Sequence, residues 1–94
     1  MGTTPITQAV RITKDEELDL AKDYYLQLTE ELATAELDYA MVHENLATQD
    51  LTHVVRAALL ARRSELRRKV SHLHAEVASY RTLCANLYIE SLER

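Results

Sequence analysis

Five basic residues lie close together in the second half of this 94-residue chain, and they are its first candidates for binding a charged ligand. Clustered arginines on a helix are typical of proteins that bind a phosphate backbone. The chain as a whole, however, carries a net charge of −4, and no aromatic residue lies within the cluster to stack on a base. We therefore expect the cluster to pair with acidic residues of the same chain, and nucleic-acid binding is the alternative. Its members are Arg62, Arg63, Arg67, Arg68 and Lys69.

A second candidate for chemistry is the His-x-His-x-Glu motif formed by His72, His74 and Glu76. On a helix, His72 and Glu76 share a face and could supply two ligands to a metal ion, whereas His74 points about 200° away from His72. A third ligand would have to come from His43, His53 or another chain. We therefore interpret these residues as surface histidines, and a metal-binding bundle is a further alternative.

The sequence assembles no catalytic group. Its only glycine is Gly2, so it has no glycine-rich phosphate loop, and no nucleophile has a base at a suitable spacing. The single cysteine, Cys84, excludes an internal disulfide and falls at a position where a free thiol behaves as a small buried apolar side chain. We predict that the chain is not an enzyme and binds no cofactor.

The spacing of the apolar residues predicts two long helices. Thr13 and Glu16 have the spacing of a capping box, which marks the start of the first helix. Apolar residues then recur every seven positions, with a second set three places later, as in the seam of a coiled coil. The first seam comprises Leu18, Ala21, Tyr25, Leu28, Leu32, Ala35, Tyr39, Val42 and Leu46, and the second comprises Leu59, Leu66, Val70, Leu73, Val77, Tyr80, Cys84 and Leu87.

The two seams are out of phase, which favours a turn between them over a single continuous helix, the alternative structure. We predict an all-α fold, an antiparallel two-helix coiled-coil hairpin with helices at about 14–46 and 52–93, a turn at about 47–51 and an N-terminal tail over 1–13, flexible or extended. The charge distribution also favours a hairpin, because the two predicted helices should attract each other. Residues 14–46 carry ten acids and two bases, whereas residues 51–94 carry four acids and eight bases.

The expected register places Leu32 opposite Leu66 and Tyr25 opposite Leu73. It also brings the basic cluster beside acidic residues of the first helix, namely Glu30, Glu31, Glu36 and Asp38. In this register the second helix extends about ten residues, or about 15 Å, beyond the start of the first.

Both helices carry apolar residues outside the seam, which predicts that the hairpin binds another protein surface. The second helix has a stripe of small and apolar residues that ends in the expected overhang. We expect the partner to bind Ala75, Ala78, Ala85, Leu87, Tyr88, Ile89 and Leu92. A second candidate face lies on the first helix and comprises Leu20, Tyr24, Leu26, Leu37 and Met41. Two hairpins could cover these faces by pairing into a four-helix bundle, or one could dock on a different protein.

These features predict a protein–protein interaction module, such as a helical adaptor, a scaffold subunit or a small chaperone of assembly or secretion. We expect it to form a homodimer or a hetero-oligomer. The longest uninterrupted apolar run has five residues, Ala57 to Ala61, far fewer than the roughly 18 needed to cross a bilayer. With no signal peptide and one cysteine, the chain is expected in the cytoplasm. The alternative function is that of a nucleic-acid-associated helical protein acting through the basic cluster.

Overall fold

A computed structural model describes residues 13–48 and 50–93, and within them the chain forms two helices joined by a short connection. The first, α1, comprises Lys14–Leu46, and the second, α2, comprises His53–Leu92. The helices lie antiparallel, so that Lys14 Nζ donates a hydrogen bond to Glu90 Oε2 at 2.9 Å near the open end. The predicted all-α hairpin is therefore confirmed, and the helix ends lie within one residue of those expected. Most of the predicted N-terminal tail, residues 1–12, lies outside the described residues.

Threonine caps begin both helices. The backbone of Thr13 is extended, and its hydroxyl oxygen accepts a hydrogen bond from the Glu16 N–H at 3.1 Å. Thr52 has the same conformation and accepts from the Val55 N–H at 3.2 Å. Each cap satisfies one of the N–H groups that the first turn of a helix leaves without a partner. Both helix starts are thus determined locally by the sequence.

The buried residues form one line between the helices and follow the two predicted seams. One cluster joins Leu28, Leu32 and Ala35 of α1 to Leu73 and Val77 of α2. A second cluster, at the open end, joins Leu18 and Ala21 to Leu87, with Cys84 packed against it. Leu66 is the most completely buried side chain, at 1% exposure. The core of the hairpin is therefore a single coiled-coil seam.

The predicted register is wrong by one heptad. Leu32 packs in one cluster with Leu73 and Leu18 packs with Leu87, so facing residue numbers sum to about 105 instead of about 98. A heptad repeat cannot distinguish registers that differ by seven, but burial can. In the observed register each seam position of α1 except Val42, which lies level with Arg63, has a seam position of α2 opposite it, and this buries more apolar surface.

The register also moves the overhang to the other end of the hairpin. Leu87, which was expected to extend beyond α1, is only 7% exposed and packs against Leu18 and Ala21. The first turn of α2 instead extends past the end of α1, and Val54 there is 80% exposed. In the part of the chain that the structure describes, neither helix is long and apolar enough to span a membrane.

Candidate functional site

More large apolar side chains are exposed than the seam can cover. Among the described residues, nine hydrophobic residues are buried, whereas twelve large hydrophobic ones are exposed. A hairpin of two helices has only one interface between its elements, so the other apolar faces of the helices stay in contact with water. Exposed apolar patches on a folded protein are typical of surfaces that bind other proteins.

The outer face of α2, which points away from α1, holds most of the predicted partner-binding residues. Ala75, Ala78 and Ala85 are exposed along it. Ile89 and Leu92 continue it at the open end, where Leu92 is 64% exposed, and Tyr88, next to the seam residue Leu87, lies at its edge beside the seam. Leu87 differs from the other predicted residues, because its side chain lies inside the hairpin. We call the six exposed residues the outer face of α2.

The predicted second face on α1 is divided by the geometry of the helix. All five residues are exposed. Leu20 and Met41 lie three heptads apart and share one side of α1 with Tyr24, whereas Leu37 lies opposite the seam and Leu26 lies on the other side. These residues therefore belong to three different surfaces and cannot bind one partner helix together.

A shallow groove of about 380 Å³ lies on one side of the hairpin near its open end. Leu20 and Tyr24 line it from α1, and Tyr80 and Leu83 line it from α2. The Tyr24 and Tyr80 rings touch, with centroids 4.6 Å apart. The sequence analysis did not identify Leu83 as a site residue. Its apolar side chain at a position outside the seam was the available signal, but only the register shows which residues of α1 lie beside it.

The basic cluster does not pair with the acids expected for it. Arg62 lies 3.6 Å from Glu65 of its own helix, and Arg67 donates a hydrogen bond to the Tyr39 hydroxyl at 3.2 Å. The shift by one heptad moves the cluster towards the turn, away from its predicted partners. Across residues 13–48 and 50–93, none of the cluster's side chains lies within ion-pair distance of Glu30, Glu31, Glu36 or Asp38.

The hydrogen bond between Arg67 and Tyr39 perturbs the tyrosine. The guanidinium stabilises the ionised phenol and lowers the pKa of Tyr39 below its usual value of 10.0. Partial desolvation of the ring opposes this shift, and the charge of Arg63 nearby adds to it. Arg67 is thereby linked to α1 through a tyrosine and not through a carboxylate.

Both histidines of the motif lie beside carboxylates of the hairpin. His72 Nε2 lies 2.5 Å from Glu76 Oε1 on the same helix, and His74 Nε2 lies 3.9 Å from Glu36 Oε2 across the hairpin. His43 stacks on Tyr39. Within the described ranges, no three residues of ligand type lie close enough together to hold a metal ion.

The apolar surfaces are thus the most extensive candidate sites, and their chemistry suits the binding of another apolar protein surface. The chain matches no protein-family model, no curated protein and no solved structure.

Proposed function

We propose that the chain is a protein–protein interaction module, a helical adaptor, scaffold subunit or small chaperone of assembly or secretion, that binds a partner through the outer face of α2. The observation that supports this most strongly is the exposure of Tyr88, Ile89 and Leu92 at the end of a face built from small residues. No described part of the hairpin covers them.

The make-up of the outer face suits a helical partner. Small side chains such as Ala78 and Ala85 let a neighbouring helix approach to the short end of the usual 8–10 Å between axes. The larger Ile89 and Leu92 then supply the apolar area, at about 25 cal/mol for each Å² removed from water. Helix propensity alone would explain exposed alanines but not exposed isoleucine and leucine in the same face.

A second candidate function is nucleic-acid binding through the basic cluster. The register favours it in one respect, because Arg63, Arg68 and Lys69 have no acidic partner within ion-pair distance among residues 13–48 and 50–93. The net charge of −4 and the absence of aromatic residues within the cluster favour the protein-binding function. We further assign the protein to the cytoplasm, whose reducing conditions suit a chain with one cysteine.

Capture of the partner from the native source tests the proposed function. The tagged wild-type chain is compared with the A78R/A85R variant and with A33R/A40R, a control with the same changes and spacing at exposed alanines of α1. We expect the wild type and the control to retain a common partner, identified by mass spectrometry, and A78R/A85R to lose it. An unpaired charge buried in an interface costs several kcal/mol, or about a hundredfold or more in affinity.

Circular dichroism must show equal helix content in all three proteins. Capture of the same partner by A78R/A85R at wild-type affinity would contradict the assignment of the outer face of α2. Salt-dependent binding of RNA or DNA that disappears in an R68Q/K69Q variant, with no protein captured, would favour the second function.

A further inference from the structure

We propose that a second copy of the chain packs on the side of the hairpin that holds Leu20 and Leu83, forming an antiparallel dimer with two-fold symmetry. This inference rests on the proposed function, since it identifies one partner of the interaction module. It uses a different surface, which leaves the outer face of α2 available. We call this surface the groove side.

Two grooves define the groove side in the structure. The apolar groove at the open end is lined by Leu20, Tyr24 and Leu83, among others. A second groove of about 350 Å³ lies further towards the turn, where Lys69 of α2 faces acidic and polar residues of α1. Those residues are Gln27, Glu30, Glu31 and Thr34. The groove side is therefore apolar at the open end and polar in the middle.

The α2 half of the groove side follows a heptad column. Val55, Arg62, Lys69, Glu76 and Leu83 are spaced by seven, so their side chains keep a constant direction relative to the seam. The side chains of Val55 and Leu83, at the two ends, are both more than 40% exposed. The column thus has apolar residues at its ends, a base at its middle, a second base on one side of the middle and an acid on the other.

This order complements itself when a second copy runs in the opposite direction. With Lys69 at the two-fold axis, Val55 meets Leu83 of the second copy and Arg62 meets Glu76 of the second copy. The symmetry repeats each contact, which gives two apolar pairs and two ion pairs. A parallel copy related by a two-fold axis would instead place α2 against α1 of the second copy, so neither pair would form. The order of charges along the column therefore suits the antiparallel arrangement.

The local environment allows these pairs to form. Arg62 and Glu76 contact Glu65 and His72 of their own helix, in surface pairs in which Glu76 is half-buried, and such pairs contribute only about 0–1 kcal/mol each. The two lysines at the axis repel each other, but Glu30 and Glu31 line the same groove and offset their charge.

The α1 half of the groove side has the same organisation. Leu20, Gln27, Thr34 and Met41 are also spaced by seven, with exposed apolar residues at the ends and polar ones between them. Lys69 lies level with Glu36 of α1, so an antiparallel copy with Lys69 on the axis places Leu20 and Tyr24 level with the exposed Val55 of the second copy. The apolar end of the α1 half therefore meets an apolar residue of the second copy, whereas Met41 comes level with Glu31.

The charge of the whole hairpin favours the same direction. The half near the open end, residues 13–35 and 70–93, carries three bases and ten acids. The half near the turn, residues 36–69, carries six bases and five acids. An antiparallel dimer places each acidic half beside the less acidic half of the second copy, whereas a parallel dimer would place the two acidic halves together.

The size of the groove side suits a stable dimer. The column from Val55 to Leu83 is about 42 Å long, and two helices packed 8–10 Å apart give a surface roughly 18 Å wide. Contact along this length would bury roughly 700 Å² of each copy, against the about 800 Å² of a standard-sized interface.

Disulfide trapping tests the arrangement directly. V55C and L83C are made separately in a C84S background, which removes the native thiol. Positions 55 and 83 lie about 42 Å apart within one helix, so a disulfide between them can form only between chains. We expect a covalent dimer in the equimolar mixture of V55C and L83C but not with either variant alone. The control mixture of V55C with L37C, whose site is exposed on the far side of α1, should give none.

Sedimentation equilibrium tests the stability of the dimer. We expect the wild type to have twice the 10.8 kDa mass of the chain, L83R to dissociate at least about a hundredfold more readily, and the control L37R to keep the wild-type mass. A wild type that stays monomeric, L83R as tightly dimeric as the wild type, or cross-linking of V55C alone would overturn the proposal. A monomer that still captures its partner through the outer face of α2 would overturn the dimer and leave the proposed function standing. A trapped dimer that captures no partner would overturn the proposed function and leave the dimer standing.

Discussion

Replacement of Leu87 by alanine is expected to destabilise the hairpin by about 2–3 kcal/mol. Leu87 is 7% exposed and packs against Leu18 and Ala21 in the cluster at the open end. Loss of its three outer carbons removes about 2 kcal/mol of apolar transfer energy, and the cavity adds up to about 1 kcal/mol. The lower part of the usual range for leucine applies, because Ala21 and Cys84 are small and the open end can partly collapse into the space.

Urea unfolding followed by circular dichroism measures this effect, with L92A as the matched control. Leu92 lies five residues further along α2 and is 64% exposed, so L92A should change the free energy of unfolding by well under 1 kcal/mol. Both variants and the wild type are compared at one protein concentration, because self-association would shift the midpoint. Equal, small effects of L87A and L92A would refute the observed register and restore the one in which Leu87 extends beyond α1.

Two further predictions concern local contacts. T52A, which removes the acceptor for the Val55 N–H, should lower stability by about 0.5–2 kcal/mol in the same urea experiment, whereas T48A in the connection should have little effect. R67Q should raise the pKa of Tyr39 towards 10.0, as measured by NMR titration of the ring carbon that bears the hydroxyl. Because the pKa of Tyr39 is lowered in the folded state, the contribution of its ionisation to stability is complete above about pH 10 and is lost as the pH falls through the folded-state pKa. The wild type should therefore gain stability relative to R67Q as the pH rises towards 10. If it does not, the hydrogen bond from Arg67 does not favour the phenolate.

The sequence contains enough information to predict the helices and their buried faces. Thr13 marks the start of α1. The heptads from Leu18 to Leu46 and from Leu59 to Leu87 identify the seam residues, because apolar residues that recur every 3.5 positions on average form one face of a coiled-coil helix. The predicted fold class follows from these local patterns together with the break in phase between the two repeats.

The register could not be predicted from the same pattern, because a heptad repeat is nearly unchanged by a shift of seven. The charges suggested a register in which the basic cluster faces Glu30 and Glu31, but exposed ion pairs contribute little energy. Burial of Leu87 on Leu18 contributes more and determines the observed pairing. The groove with Leu83 was missed for the same reason, since the members of a groove between two helices depend on their register.

All of the proposed surfaces require that the chain folds back on itself, so the distance between the two helices is the most direct test of the structure. Spin labels at Gln27 and Ser79, both exposed, lie at the same level of the hairpin. They are introduced into C84S protein and diluted with unlabelled chains, so that pulsed electron paramagnetic resonance reports distances within one chain. The hairpin predicts a distance of roughly 15–25 Å, from helix axes 8–10 Å apart plus the length of the labels. A distance near 78 Å, about that expected for 52 residues of continuous helix, would contradict the hairpin and with it every surface derived from it.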